Sequence, residues 1–348
     1  LMAFTLGVDI GTLESKGVIA DAPGAVVAMA TRPHKMIVPQ PGWAEHRADE
    51  DWWGDFIFIV KALLAESKVN PEEIACVATS AIGPCMLPVD AAGRPLMNGV
   101  LYGVDTRAAA ETAELTREIG AERILATCGN ALTSQSVGPK ILWLKRHRPE
   151  VFADTAKVLT STSYLTFRLT GACVIDHYTA ANFSPLYDVI TLDWTDTLAA
   201  GIIPLDRLPR LMWSGEIAGR VTAAAARETG LAEGTPVTCG TIDAAAEAVS
   251  VGVSIVAGIL FGHGRSFSSG GDVTIDAVGT SASISDSIRI TRPRGRIVLL
   301  GMPARVDTVS KAVNLLGMPQ VHDLVLASCV AQTFSQLPDD VVNMEQYW

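Results

Sequence analysis

Short apolar runs broken by glycine-containing polar corners alternate with helix-periodic stretches along this chain. "FTLGVDIG" and "GVIADA" read as two short strands joined by a tight corner, a hairpin that places Asp9 at the end of the first. Residues 50–67, "EDWWGDFIFIVKALLAES", carry helical periodicity, with Trp52, Phe56, Val60 and Leu63 near one face. "IACVATSAIG" reads as a buried strand, and residues 106–119 and 141–147 as helices. "TPVTCGTIDAAAEAVSVGV" reads as strand, corner and helix. Strands alternating with helices predict an α/β class, and residues 1–253 are expected to form one lobe around a mixed five-stranded sheet.

The pattern changes after Val253. "SIVAGILFGHGRSFSSGG" is rich in glycine and serine and marks a junction. Beyond it, residues 272–278 predict a strand, 281–290 a crossover helix and 297–300 a second strand, together one right-handed βαβ unit. Two domains follow from this reading, 1–253 and 254–348, in line with a length of 348 residues.

Composition narrows the classes. At 49% hydrophobic and 18% charged residues the chain can bury sizeable cores, and a net charge of -10 argues against nucleic-acid or anionic-membrane partners. A locally positive phosphate cradle remains compatible with that charge. The six cysteines show no CxxC spacing, which suits a reduced, cytoplasmic location better than a disulfide framework. No apolar run reaches the length of a membrane span, and no export signal is read at the start of the sequence.

The chemistry concentrates at two corners. In "GVDIGTLESKGVIAD", Asp9 is held at a strand end, Gly11 lets a ligand approach backbone amides, Thr12 adds a hydroxyl and Lys16 a mobile cation. That set suits a phosphate with its magnesium ion, with Asp9 facing the hydrated metal; the plainer reading is a hairpin with Lys16 in solvent. In "CGTIDAAAEAVSVG", Asp243 follows a strand and opens an alanine-rich helix. A carboxylate there can take a proton from a substrate hydroxyl, and it can equally serve as a helix N-cap.

These corners, together with "PGWAEHRADEDWW", "LPVDAAGRPLMNGVLYGVDTRA", "GPKILWLKRHRPEVF" and "YLTFRLTGACVIDHYTAANFSPLYD", occur in the order found in the FGGY carbohydrate kinases, which residues 1–253 resemble, closest to the xylulokinase-like members. The resemblance implies an actin-like, ribonuclease-H-like lobe, with ATP and Mg2+ as cofactors. It implies Asp9, Gly11, Thr12 and Lys16 beside the phosphates and metal, and Asp243 as the base that activates a sugar or polyol hydroxyl. Asp105 and Arg107 match the family's Asp-x-Arg segment near the sugar. Where xylulokinases carry Gln-Met-His-Gly, this chain has Ile82, Gly83, Pro84 and Cys85, which puts Pro84 at the sugar-facing stretch and makes an acceptor other than xylulose an expectation. Trp43 and Trp52 could stack on a sugar, but packing is the stronger reading for a Trp on an amphipathic helix.

The second lobe of such kinases, with its adenosine pocket, is not recognised after Val253, so impaired phosphorylation is expected, with a non-catalytic sugar-binding role as the alternative. Residues 271–303 instead resemble part of the Rossmann-like cofactor domain of medium-chain, zinc-type alcohol dehydrogenases. An NAD(P)-dependent remnant ranks last, because the Gly-x-Gly-x-x-Gly corner is absent; Cys128, Cys239 and His263 are too scattered to suggest zinc. The tail is expected to bury "SIVAGILF" and residues 321–330 against the lobe or against another chain, so a homodimer is among the expected assemblies.

Overall fold

In this computed structural model the described residues are 4–250 and three later strands, Gly271–Asp276, Thr291–Leu299 and Asp323–Val325. The chain divides into two compact units, the first reaching to Ala246 and the second holding the three later strands.

Strands β1 (Phe4–Ile10) and β2 (Glu14–Asp21) form the expected hairpin, with Asp9 opposite Lys16. β3 (Val26–Pro33) adds to it antiparallel, while β4 (Ile74–Ala81) lies parallel to β1. β5 (Ile217–Arg220), β6 (Pro236–Thr238) and β7 (Thr241–Ile242) complete a mixed sheet in the order β5-β6-β4-β1-β2-β3, with β7 also paired to β4. The sheet therefore has seven strands, not the expected five. One cause is Gly240, at φ 77°, which divides a stretch that reads as one strand into β6 and β7. A Cβ there would stand 2.5 Å from the Thr79 carbonyl oxygen, so the corner needs glycine. The other is β5, four residues of "IAGR" that carry no apolar run and are held by pairing with β6.

Helix α1 (Gly54–Ser67) crosses the hairpin and buries Phe56, Val60 and Leu63, as the periodicity requires. It is preceded by a wider π-helical turn, Ala48–Trp53, that brings Trp52 and Trp53 into the same core. Close approach is possible because position 17 is glycine: a Cβ there would lie 2.5 Å from Ile59 Cγ2. A second core gathers around α2 (Ala109–Ile119) and α3 (Val137–His147), which supply Leu115, Ile119, Ile141 and Leu144. α2 starts three residues later than its apolar pattern suggests, because Thr106 and Arg107 are tied into a turn by Gly42 and Asp105. α4 (Ser161–Thr170) and the short α5 (His177–Ala180) follow, and α6 (Asp243–Ser250) begins where β7 ends.

In the second unit, Thr291–Leu299 pairs parallel with both Gly271–Asp276 and Asp323–Val325. The middle strand begins six residues before the expected Ile297, and the third strand was not anticipated. Parallel pairing is common to many α/β folds and defines no cofactor site by itself. The crossover helix at 281–290, His263 and the expected burial of "SIVAGILF" and of the 321–330 side chains lie outside the described residues.

Candidate active site

β1, β4 and β7 run parallel and end at one edge of the sheet. Their register sets Asp9, Ser80 and Thr241 side by side, with Ile10, Ala81 and Ile242 next along the strands. Neighbouring strands lie about 4.8 Å apart, so β1 and β7 are separated by about 10 Å across β4. Asp243, the residue after Ile242, thus leaves the sheet at the edge where the β1–β2 corner turns. Open α/β sheets place ligands at such carboxyl ends.

At the corner, Ser80 Oγ donates to Asp9 Oδ1 at 2.6 Å and Lys16 Nζ stands 3.5 Å from Asp9 Oδ2. The Gly11 N–H donates to the Glu14 carbonyl at 3.0 Å. A Cβ on Gly11 would meet that oxygen at 2.5 Å, so the tight turn excludes a side chain. Thr12 Oγ1 lies 3.1 Å from the Tyr102 hydroxyl. Among the described residues no group of three or more His, Cys, Asp or Glu is arranged to hold a metal. A magnesium ion carried with phosphates needs no such cage, since one or two carboxylates suffice, and partly exposed Asp9 fits that demand.

At the second corner, Asp243 is half-buried and is the first residue of α6; its Oδ1 accepts the N–H of the next residue, Ala244, at 2.8 Å, whereas an N-cap side chain serves the second or third helical amide. The strand leading to it is anchored by buried Asp176, whose Oδ2 accepts Thr241 Oγ1 at 2.7 Å. Asp176 also caps α5 through the Tyr178 and Thr179 amides. Burial pushes its carboxyl up to about 6, against the pull of these donors. Gly83 packs against Ile242, where a Cβ would stand 3.0 Å from Cγ1, so the turn holding buried Pro84 abuts the Asp243 strand. Burial pushes the neighbouring Cys85 thiol up to about 12, and the Asp243 charge acts in the same direction.

Asp105 and Arg107 are brought together, in the core. Arg107 Nε and Nη2 donate to Asp105, Nη2 also reaches Glu45 Oε1 at 2.8 Å, and Asp105 Oδ2 accepts the Ala44 N–H at 2.7 Å. The guanidinium lies 4.0 Å from the Trp43 ring and 5.1 Å from Trp143. Trp43 therefore stacks on a protein cation, and Trp52 is fully buried among core residues. Beside them, Lys140 is buried and donates to the Leu101 and Tyr102 carbonyls. Burial draws its ammonium down to about 8, although Asp105 acts in the opposite sense. A cavity of about 210 Å³ is lined by Asp105, Thr106, Thr133, Ser134, Ser136 and Lys140. Sequence reading missed Lys140, Tyr102, Ser80, Asp176 and His46. A lysine set among the apolar residues of "GPKILWL" was the one local signal, since lysine is rarely buried without a partner.

The described lobe is that of an actin-like, ribonuclease-H-like sugar kinase, a mixed α/β fold. Residues 4–250 match the FGGY family of carbohydrate kinases, N-terminal domain, and the chain belongs to that family. It is 33% identical over 249 residues to the xylulose kinase of Escherichia coli (strain K12), covering 71% of this chain and 50% of that protein. It is 29% identical over 226 residues to the glycerol kinase of Nocardia farcinica (strain IFM 10152), covering 63% of this chain and 45% of that one. The solved xylulose kinase from Rhodospirillum rubrum superimposes with a TM-score of 0.68 at 31% identity, over 72% of this chain and 51% of that chain. The chain thus spans about half the length of the relatives it matches. Residues 298–348 match the HDOD domain. The dehydrogenase-like, Rossmann-like reading of the tail finds no support in these comparisons, and a short strand–helix–strand text was too generic to carry it. Among the described residues no helix is long and apolar enough to cross a membrane.

Proposed function

We propose that this lobe serves the ATP-dependent phosphorylation of a sugar or polyol hydroxyl, with Asp243 as the base and Asp9, Gly11, Thr12 and Lys16 on the phosphate side. The observation that carries the reading is the register of β1, β4 and β7, which brings both corners to one sheet edge. ATP with magnesium, when bound, supplies the transferable phosphoryl group. Asp9 would face the metal and Lys16 the phosphate oxygens, with the tight Gly11 turn setting the course of the corner's backbone beside them. Asp243 would take the proton of the attacking hydroxyl, and its position at a strand end fixed through Thr241 limits its motion. Asp105, Arg107 and the turn at Pro84 would shape the acceptor side from behind, the buried Asp105–Arg107 pair by fixing the backbone that lines the cavity. The similarity to both xylulose and glycerol kinases, with Ile82–Cys85 differing from the xylulokinase stretch, leaves the acceptor class as ketoses and polyols.

The test is phosphorylation of a ketose and polyol panel by this chain with Mg·ATP, alongside calorimetric binding of the same panel. Asp243→Asn should keep binding and lower the rate by about 10²–10⁴, the usual worth of a general base. An unchanged rate would exclude Asp243 as the base, and an absence of binding across the panel would overturn the acceptor assignment.

A further inference from the structure

The β1–β2 corner is held from below by a histidine. His46 is fully buried, and two of its contacts fix its chemistry. The Trp52 indole Nε1 lies 3.1 Å from His46 Nδ1. An indole N–H can only donate, so Nδ1 must be the bare, accepting nitrogen. The ring proton then sits on Nε2, which lies 3.1 Å from the Thr12 carbonyl oxygen, a group that can only accept. A doubly protonated ring could not accept from Trp52. Burial, helped by the charge of His34, brings the imidazole down to about 4 and keeps it neutral.

The donor end of this relay is fixed in the core. Trp52 has no exposed surface and lies edge-on to Tyr164, with ring centroids 6.2 Å apart. A Cβ on Gly99 would stand 2.2 Å from the Trp52 ring, so the indole fills its slot completely. The receiving end is the Thr12–Leu13 peptide. In a trans peptide the C=O and N–H point in opposite directions. A Thr12 carbonyl turned inward onto His46 therefore turns the Leu13 N–H away from His46, at a residue that is 61% exposed.

We propose that His46, bridging Trp52 and the Thr12 carbonyl as a neutral imidazole, is the positioning residue that aims the Leu13 amide of the phosphate corner outward. The inference rests on the reading of that corner as a phosphate site, but the role of His46 in shaping it is separable. The relay makes the corner rigid without placing a charge beneath it, so the phosphate side keeps Lys16 as its cation.

The experiment is nitrogen-15 NMR on the full chain. The His46 ring should show the Nε2-protonated tautomer at neutral pH. His46→Ala should speed hydrogen exchange of the Gly11 amide by about tenfold, the loss expected when one hydrogen bond's worth of local stability goes. His46→Gln, whose side-chain amide can accept from Trp52 and donate to Thr12, should restore slow exchange. A proton on Nδ1, unchanged exchange in His46→Ala, or a Gln variant no better than Ala would overturn the proposal. Should the Ala variant fail to fold, the wild-type tautomer and the Gln variant still decide. Titration of the wild type with magnesium pyrophosphate separates the two readings. Unmoved resonances at residues 11–13 would remove the phosphate site, while the tautomer and exchange data would still judge His46.

Discussion

Replacing Asp176 by Asn tests whether the Asp243 strand is held by a charge kept at a cost. The Asp176 carboxyl is fully buried and raised from 3.8 to about 6 in the folded chain. An unfolded chain gives up this proton near 3.8, the folded chain near 6, so in between the folded state holds more protons. Its contribution to stability is therefore greatest at low pH and falls as the pH rises through about 6. Two pH units correspond to about 3 kcal/mol, at about 1.4 kcal/mol per unit. Asn caps a helix as well as Asp does, and the Thr179 and Thr241 hydroxyls can turn to accept from its amide. About a third of the Asp176 contribution has already been lost by pH 4.5, so between about pH 4.5 and pH 7.5 the variant should gain on the wild type by about 2 kcal/mol. For a lobe of this size that is a relative shift of roughly 4–8 °C in melting temperature. Tryptophan fluorescence during thermal unfolding reports it. His46 drives stability the opposite way, because its lowered pKa makes the folded state lose stability as pH falls from about 6.5 to about 4; His34, Asp51 and Asp55 face that ring. The slope from His46 is common to both chains and cancels in their difference. A difference between wild type and variant that stays constant from about pH 4.5 to about pH 7.5 would refute the burial argument for Asp176.

Two further substitutions probe the corners. Gly11→Ala drives a Cβ to within 2.5 Å of the Glu14 carbonyl and should cost about 1–3 kcal/mol in denaturant unfolding; a neutral result would mean the turn can relax. Arg107→Lys cannot reproduce the fork that serves Asp105 and Glu45 together, and with both acids buried it should cost about 3–5 kcal/mol. A loss under about 1 kcal/mol would show that the acids find other partners or protonate cheaply.

The amino-acid sequence by itself determined the elements whose cause is local. The hairpin from Phe4 to Asp21 follows from two apolar runs around a glycine corner, and α1 from the spacing of Phe56, Val60 and Leu63. The two acids at strand ends were legible because a strand–corner–helix text has a direction, and the order of motifs carried the family. The short text at 271–303 misled because one strand–helix–strand unit is shared by many folds, and few residues in it are tied to chemistry. Tertiary structure alone decided the rest. That Asp9 and Asp243 share an edge depends on β4 lying between their strands, and β4 enters from residue 74 onward. The partners that fix the site are distant in the chain: Ser80 on Asp9 across 71 residues, Thr241 on Asp176 across 65, Lys140 on Leu101 across 39, and His46 on Thr12 across 34. Periodicity reports which face of an element is buried. It carries no information on which remote donor will meet a given acceptor, because that is set by how the sheet and the second core close around them.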